Sequence, residues 1–302
     1  MRLTLPLLTA ACAICLTARA NDKPVEIRPG EAIPASLITT NHLSPFKHDL
    51  PAVLPMVVVS FQTQATEKAG SSLLGSGGIQ YTLDGISGSL MQKIADEAQA
   101  AVEAELQAAG WQILPPEKAT ATAVYQAWSK SPDPSREEVK RQFYSAGRGT
   151  NTFSSKELER VYVGGGRALV GNGVVLGGWT AGGSFCQIGQ ALGAKVILVR
   201  FIVNFANISA GKRGLFSGQE WKGKTDLEIS HSEMDVYPPD ATGATPARLT
   251  TEKALTLHSE FIREVLKSSG GRTIVADPVR YETDIVEAVR CVARGFAAQS
   301  GK

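Results

Sequence analysis

Long apolar runs are scarce in this chain. The most apolar stretch is the first, Leu3–Ala18, broken mildly by Pro6, and nothing later approaches its hydrophobicity, which excludes a multispan helical membrane protein. Charge of one sign is also missing. Of the 31 lysines and arginines, Arg2 and Arg19 lie in that first stretch, and the remaining 29 equal the 29 aspartates and glutamates. Such a balance argues against a dedicated nucleic-acid binder, whose affinity comes mainly from neutralising phosphate. Catalytic signatures are lacking too. There is no Gly-x-Ser-x-Gly elbow, and Gly182-Gly183-Ser184-Phe185-Cys186 lacks the second glycine. No carboxylate pair is marked out for glycosidase-type acid/base work. What is present is ordinary globular composition, 43% hydrophobic and 20% charged, so disorder and collagen are excluded as well.

The first 20 residues read as a signal peptide. Arg2 precedes the apolar run, and Ala18-Arg19-Ala20 offers a small-x-small cleavage site after Ala20. The run is too short for a good membrane span. A lipid-anchoring motif is poorly formed, because Thr9 stands three positions before Cys12. The expectation is an exported chain, periplasmic or secreted. Cleavage leaves two cysteines, Cys186 and Cys291. In an oxidising compartment they either form one disulfide or remain two thiols. A helical stripe through Ile285, Val289, Val292 and Phe296 leaves Cys291 roughly 130–140° away, beside Arg290 and Arg294. Cys291 is therefore not an obvious core thiol.

Residues 21–50, rich in Pro, Thr, Asn and charge, are expected to form an extended N-terminal arm, and 51–300 a single domain. Leu54–Thr63 has the β-branched character of a buried strand, and Gly70–Gly88 reads as a long loop. Ser89–Ala109 is a helix through Leu90, Ile94, Ala98, Ala101, Val102 and Leu106, with Ser89 and Gln92 as a capping box and Gly110 as its stop. Trp111–Leu114 predicts a strand and Lys118–Trp128 a helix. Arg136–Tyr144 can resume a helix, Ala146–Ser155 is a connector, and Ser184–Leu192 is a short helix. Lys195–Ala206 is the best strand in the sequence. Its apolar face is Ile197, Val199, Phe201, Val203 and Phe205; the other carries Arg200 and Asn204. Strand candidates at Leu215–Trp221 and Thr225–Val236 suggest an antiparallel meander. Thr250–Lys267 fits strand or helix, and Tyr281–Ala297 is a closing helix. Together these predict an α/β fold of mixed type, one mixed sheet with helices packed on it, ending in the meander and a terminal helix.

This order resembles the α/β domain shared by the curli-secretion lipoprotein family and the N-terminal domain of the Tol-system propeller protein. The matching pieces are the first strand LPMVVVSFQ, the helix and strand LMQKIADEAQAAVEAELQAAGWQILP, and IGQALGAKVILVRFIV, similar to that family's short helix, Leu-Gly-Ala turn and long strand. The resemblance covers about two-thirds of the chain after residue 20. It implies a non-enzymatic envelope protein without implying curli export.

Gly218-Gln-Glu-Trp-Lys-Gly-Lys-Thr225 matches the P-loop pattern in form, but a strand-like segment follows where a helix is needed. His231, Glu233 and Asp235 share one face of that strand and have the chemistry to hold a divalent cation, though a solvated edge is the commoner use of such a pattern. His42, His48 and His258 are scattered. Arg200 and Asn204 either line a ligand pocket or, for Arg200, pair with an acid. Cys186 is a nucleophile only with a nearby histidine and no disulfide. Val161–Gly183 holds nine glycines in 23 residues and reads as a hairpin. Its arms are nearly long enough to span a bilayer as strands, and a surface flap or subunit contact is the alternative. The reading is a non-catalytic exported bacterial envelope protein without cofactor or metal. It would serve as a binding or assembly module for another envelope protein. The alternatives are an outer-membrane-associated secretion or pore component inserting the 161–183 hairpin, and a metal- or thiol-dependent enzyme.

Overall fold

Where apolar residues alternate or run together the chain forms strands, and where they recur every three or four residues it forms, among the described residues, two long helices. The computed structural model describes residues 23–41, 44–68, 78–129, 149–155, 185–205, 207–210, 221–224, 227–240, 246–268 and 271–300. Two short strands come first, β1 (Val25–Ile27) and β2 (Ile38–Thr40). The long β3 (Ala52–Lys68), β4 (Gly78–Asp84), helix α1 (Gly88–Ala108) and β5 (Ile113–Leu114) follow. Short helices α2 (Pro116–Thr120) and α3 (Ala123–Ser129) precede β6 (Gly149–Ser154). Helix α4, residues 185–192, leads into β7 (Lys195–Asn204). A separate ribbon pairs β8 (Asn207–Ala210) with β9 (Trp221–Lys224). The remaining strands are β10 (Leu227–Tyr237), β11 (Ala247–Thr251), β12 (Leu255–Leu257), β13 (Ile262–Lys267) and β14 (Gly271–Ala276), and helix α5 (Pro278–Gln299) follows them.

Apart from the ribbon, the described strands join one twelve-stranded mixed sheet. Its main path is β1-β12-β10-β7-β3-β4-β14-β13, with β11 on β10, β2 on β11, and β5 and β6 on β3. β3 and β7 run parallel at the centre, and β10 is antiparallel to β7. The expected α/β architecture, with its meander and terminal helix, is therefore observed.

The period-two alternation of β3 and β7 sends successive side chains into two cores. Leu54, Val57, Val59 and Phe61 of β3, with Ile197, Val199, Phe201 and Val203 of β7, meet α1 and α5. Val53, Met56, Val58, Val196 and Leu198 face the other way, against Ala119, Tyr125, Phe185, Cys186 and Ile188 from α2, α3 and α4. The result is a three-layer arrangement whose second helical layer lies over one end of the sheet. Among the described residues no helix is long and apolar enough to cross a membrane.

Several boundaries differ from expectation, each for a local reason. β3 runs to Lys68, and β4 occupies part of the segment expected as a loop. Tyr81 and Leu83 are buried at period two, a short alternation masked by its Gly- and Ser-rich surroundings. The cap of α1 is Ser87, not Ser89, its hydroxyl accepting from the Leu90 N–H at 3.1 Å. Gly110, at φ +97°, ends that helix in a conformation favouring glycine. The Lys118–Trp128 helix is split in two, because the Thr122 hydroxyl accepts the Tyr125 N–H and starts α3 afresh. β6 occupies the supposed connector. Thr250–Lys267 resolves as strand: the end of β11, then β12 and β13. β14 is not apparent from the sequence pattern, and α5 begins three residues before the expected Tyr281, with Pro278 at its first position and Asp277 as its cap.

The arm expected at 21–50 does more than extend. β1 pairs β12 and β2 pairs β11, and residues 28–33 form a strap along α5. The Ile33 N–H donates to the Cys291 carbonyl at 3.1 Å, and the Cys291 thiol donates to the Arg28 carbonyl at 3.3 Å. A Cβ on Gly295 would overlap Ile33. Cys291 is thus fully buried, contrary to its position on the helical wheel, because the strap gives α5 a second covered side. In this structure Cys186 and Cys291 are free and buried and not bridged, and they belong to cores on opposite faces of the sheet. The signal segment with Ala20, the 161–183 hairpin, Arg136–Tyr144 and His42 lie outside the described residues.

Candidate functional site

Three adjacent strands place a charged ladder on the sheet face beyond the second helical layer. Register sets Arg200 of β7 opposite Glu233 of β10, and Glu233 opposite Thr250 of β11. One step along, Asp235 stands between Leu198 and Arg248. His231, Glu233 and Asp235 share this face, as their spacing predicts. Met234 and Val236, between and beyond them, enter the opposite core.

The carboxylates are buried and each oxygen is engaged. Glu233 Oε1 accepts from Arg200 Nη2. Its Oε2 lies 3.2 Å from His231 Nε2 and 3.6 Å from Arg248 Nη1, so the ring proton sits on Nε2 when that bond forms. Asp235 takes the Arg248 guanidinium as a fork, Nε at 2.6 Å and Nη2 at 2.8 Å. Burial alone would raise the Glu233 carboxyl, but the Arg200 charge, the His231 hydrogen bond and the Arg248 charge bring it down from 4.5 to about 2. Burial pushes the Asp235 carboxyl up, against the pull of Arg248 and with the charge on Glu233 adding to the push. Burial also raises the Tyr237 hydroxyl at the end of the ladder, with the Asp235 charge adding to it. Arg200 is therefore paired to an acid, and Asn204 donates from Nδ2 to Glu228 Oε1 at 2.9 Å.

A hollow of about 10 Å³ lies among Met56, Val58, Leu198, Arg200, Glu233 and Asp235. That is room for one water and not for an organic cofactor. The metal reading meets the same obstacle, since the lone pairs that would face a cation are taken by guanidinium groups. Among the described residues no cluster of three or more His, Cys, Asp or Glu is arranged to hold a metal ion. Cys186 packs in the second core and burial raises its thiol, the opposite of what a nucleophile needs. Of the P-loop pattern, residues 221–224 form strand β9, and the rest lies outside the described residues. His48 packs at a tilt against Trp111 with ring centroids 4.6 Å apart, and His258 is exposed.

Sequence reasoning did not single out the second candidate, the β13 edge. Among the described residues β13 is the last strand of the sheet path and pairs with β14 alone. The Ser268 N–H bonds to the Gly271 carbonyl at 3.0 Å, which fixes the phase of the hairpin. Antiparallel alternation then turns Glu264 and Leu266 toward β14, and the N–H and C=O groups of Val265 and Lys267 outward. Val265 and Leu266 are 41% and 46% exposed. With Val279 in the first turn of α5, they are three of the four large apolar side chains exposed among the described residues; the fourth is Leu50. Arg263, at the bulge in β13, is held by Asp277 at 3.0 Å. The signal that could have revealed this edge is the hairpin pattern Ile262–Lys267, Ser268-Ser269-Gly270, Gly271–Ala276, which helical spacing through Phe261 and Val265 obscured. Set against known proteins, the chain matches no family model and no curated protein.

Proposed function

We propose that this chain is a non-catalytic exported protein of the bacterial envelope, periplasmic or secreted, and that it works as a binding or assembly module through the open β13 edge. The observation that carries the reading is that edge. Outward backbone donors and acceptors lie beside exposed Val265 and Leu266, the features on which strand addition draws for affinity and specificity. The charged ladder supports it from the other side, because groups that could do chemistry are spent on one another. The resemblance to the α/β domain of the curli-secretion lipoproteins and of the Tol-system propeller protein agrees with an envelope role.

The test is photo-crosslinking in cells from a probe at Val265, compared with the same probe at Lys118, an exposed position on α2. Adducts from Val265 well above those from Lys118, in protein released by osmotic shock, are expected. Equal yields at the two positions would overturn the reading. So would retention of the protein in the cytosol, or in the membrane fraction until detergent is added.

A further inference from the structure

The β13 edge has a definite partner chemistry, and this inference rests on the binding-module reading. We propose that β13 pairs with β13 of a second copy of this chain, antiparallel about a two-fold axis that passes between the two Leu266 residues.

The register follows from symmetry and charge. A two-fold axis relating antiparallel edge strands stands normal to the sheet, so the residue at the axis faces its own copy. Four centres, Glu264 to Lys267, are within reach of the exposed strand, and centring on Glu264 sets that carboxylate against itself. Centring on Val265 sets Arg263 opposite Lys267 of the second copy, twice, and like charges directly opposite are destabilising. Centring on Lys267 sets that ammonium against itself. Centring on Leu266 opposes no like charges. Glu264 then faces Ser268, and Leu266 faces Leu266 in a non-hydrogen-bonded pair, the type in which side chains come closest. Val265 and Lys267, whose backbone groups point outward, exchange hydrogen bonds with Lys267 and Val265 of the second copy, about four bonds in all. This centre also covers the two apolar side chains that the edge leaves exposed.

The edge is six residues long. It buries less than the roughly 1,200 Å² of a standard interface, so the pairing is reversible and depends on concentration. Charged Arg263, Glu264 and Lys267 exclude other registers and unlimited edge-to-edge growth. Two sheets joined in this way form one continuous sheet with the β13 strands at its middle.

Cysteine crosslinking reads the register in the full chain. Leu266→Cys places two thiols across the axis with Cα atoms about 4.5 Å apart, within the disulfide range. Val265→Cys places them diagonally, beyond that range of about 6.8 Å. The native Cys186 and Cys291 are buried and do not interfere. Mild oxidation is expected to crosslink Leu266→Cys at least tenfold faster than Val265→Cys. Sedimentation of the unaltered chain should shift from monomer to dimer with concentration, and Leu266→Lys, folded by circular dichroism, should remain a monomer. Equal or faster crosslinking of Val265→Cys would overturn the register. An unaltered chain that stays monomeric, with neither variant crosslinking, would overturn the pairing. If a Val265 photoprobe captured a different protein in that case, the binding-module reading would survive without the self-pairing.

Discussion

The charged ladder on β7, β10 and β11 and the open edge at β13 belong to one sheet and treat polar groups in opposite ways. In the ladder, Glu233 and Asp235 are almost wholly removed from water, and each is matched by a guanidinium held in cross-strand register. At β13 the backbone groups of Val265 and Lys267 stay in water, and apolar side chains stay with them. The difference separates two uses of polarity. Charges that cancel internally fix the register of strands but have little left to offer a ligand. Polar groups left open cost nothing while hydrated and are ready for a partner. A cluster of titratable residues therefore need not mark a site, and on the proposed reading the short, plain strand does.

The comparison breaks first if the ladder proves dispensable. Arg248→Met leaves Asp235 without its fork, a buried charge uncompensated, and should lower the unfolding free energy by about 3–5 kcal/mol at neutral pH, measured by urea denaturation. Replacing both partners, Arg248→Met with Asp235→Leu, should cost clearly less than the single change, since the orphaned charge is gone. A double variant as unstable as the single one would mean that Arg248 acts through its packing and not through Asp235.

The acid limb sharpens the same point. The folded Glu233 carboxyl sits at about 2 against its ordinary 4.5. Its contribution to stability is therefore fully present above about pH 4.5, and it fades as pH falls toward 2. Asp235 is shifted the other way, so it does not add to this loss. Glu233→Gln should unfold more readily at neutral pH and show a flatter decline between pH 4.5 and 2. Parallel declines for the two proteins would place the acid sensitivity elsewhere.

Much of this architecture is written in the chain at short range. The alternation of Lys195–Asn204 and the stripe of Leu90 to Leu106 each force an apolar face that only a sheet or a packed helix can bury. The shared face of His231, Glu233 and Asp235 is equally legible from period two. What could not be read depends on contacts far apart in sequence. Cys291 looks exposed on a helical wheel, and only the strap, more than 250 residues earlier in the chain, buries it. The engagement of Glu233 and Asp235 needs Arg200 and Arg248, which reach them through strand register. Ser87 and Ser89 offer the same cap at neighbouring positions, and which one served was settled by where β4 ends. β13 stayed ambiguous because its exposed face gives no alternation to read.

A smaller effect tests whether burial alone sets the rule that polar groups inside must be matched. Tyr281 is fully buried beside Phe261, and among the described residues its hydroxyl has no hydrogen-bond partner. Removing an unmatched hydroxyl removes a desolvation penalty, so Tyr281→Phe should raise stability by about 1 kcal/mol. Thermal and urea unfolding would report it. A loss of stability instead would mean that the hydroxyl is satisfied in solution by an internal water.

The smallest stability effect belongs to the open edge, and it is the one that divides the two regions most sharply. Val265 and Leu266 contribute little to the cores, being exposed, so Val265→Thr with Leu266→Thr keeps strand propensity and should change the unfolding free energy by no more than about 0.5 kcal/mol. The measurement belongs at a protein concentration low enough to hold the chain as a monomer, because any association would add its own stabilisation to the unaltered protein. At high concentration the two proteins should then diverge, the unaltered chain gaining stability and the variant not. A variant that loses 2 kcal/mol or more as a monomer would make β13 part of the folded core's support, and its exposure would no longer point to a surface kept for another molecule.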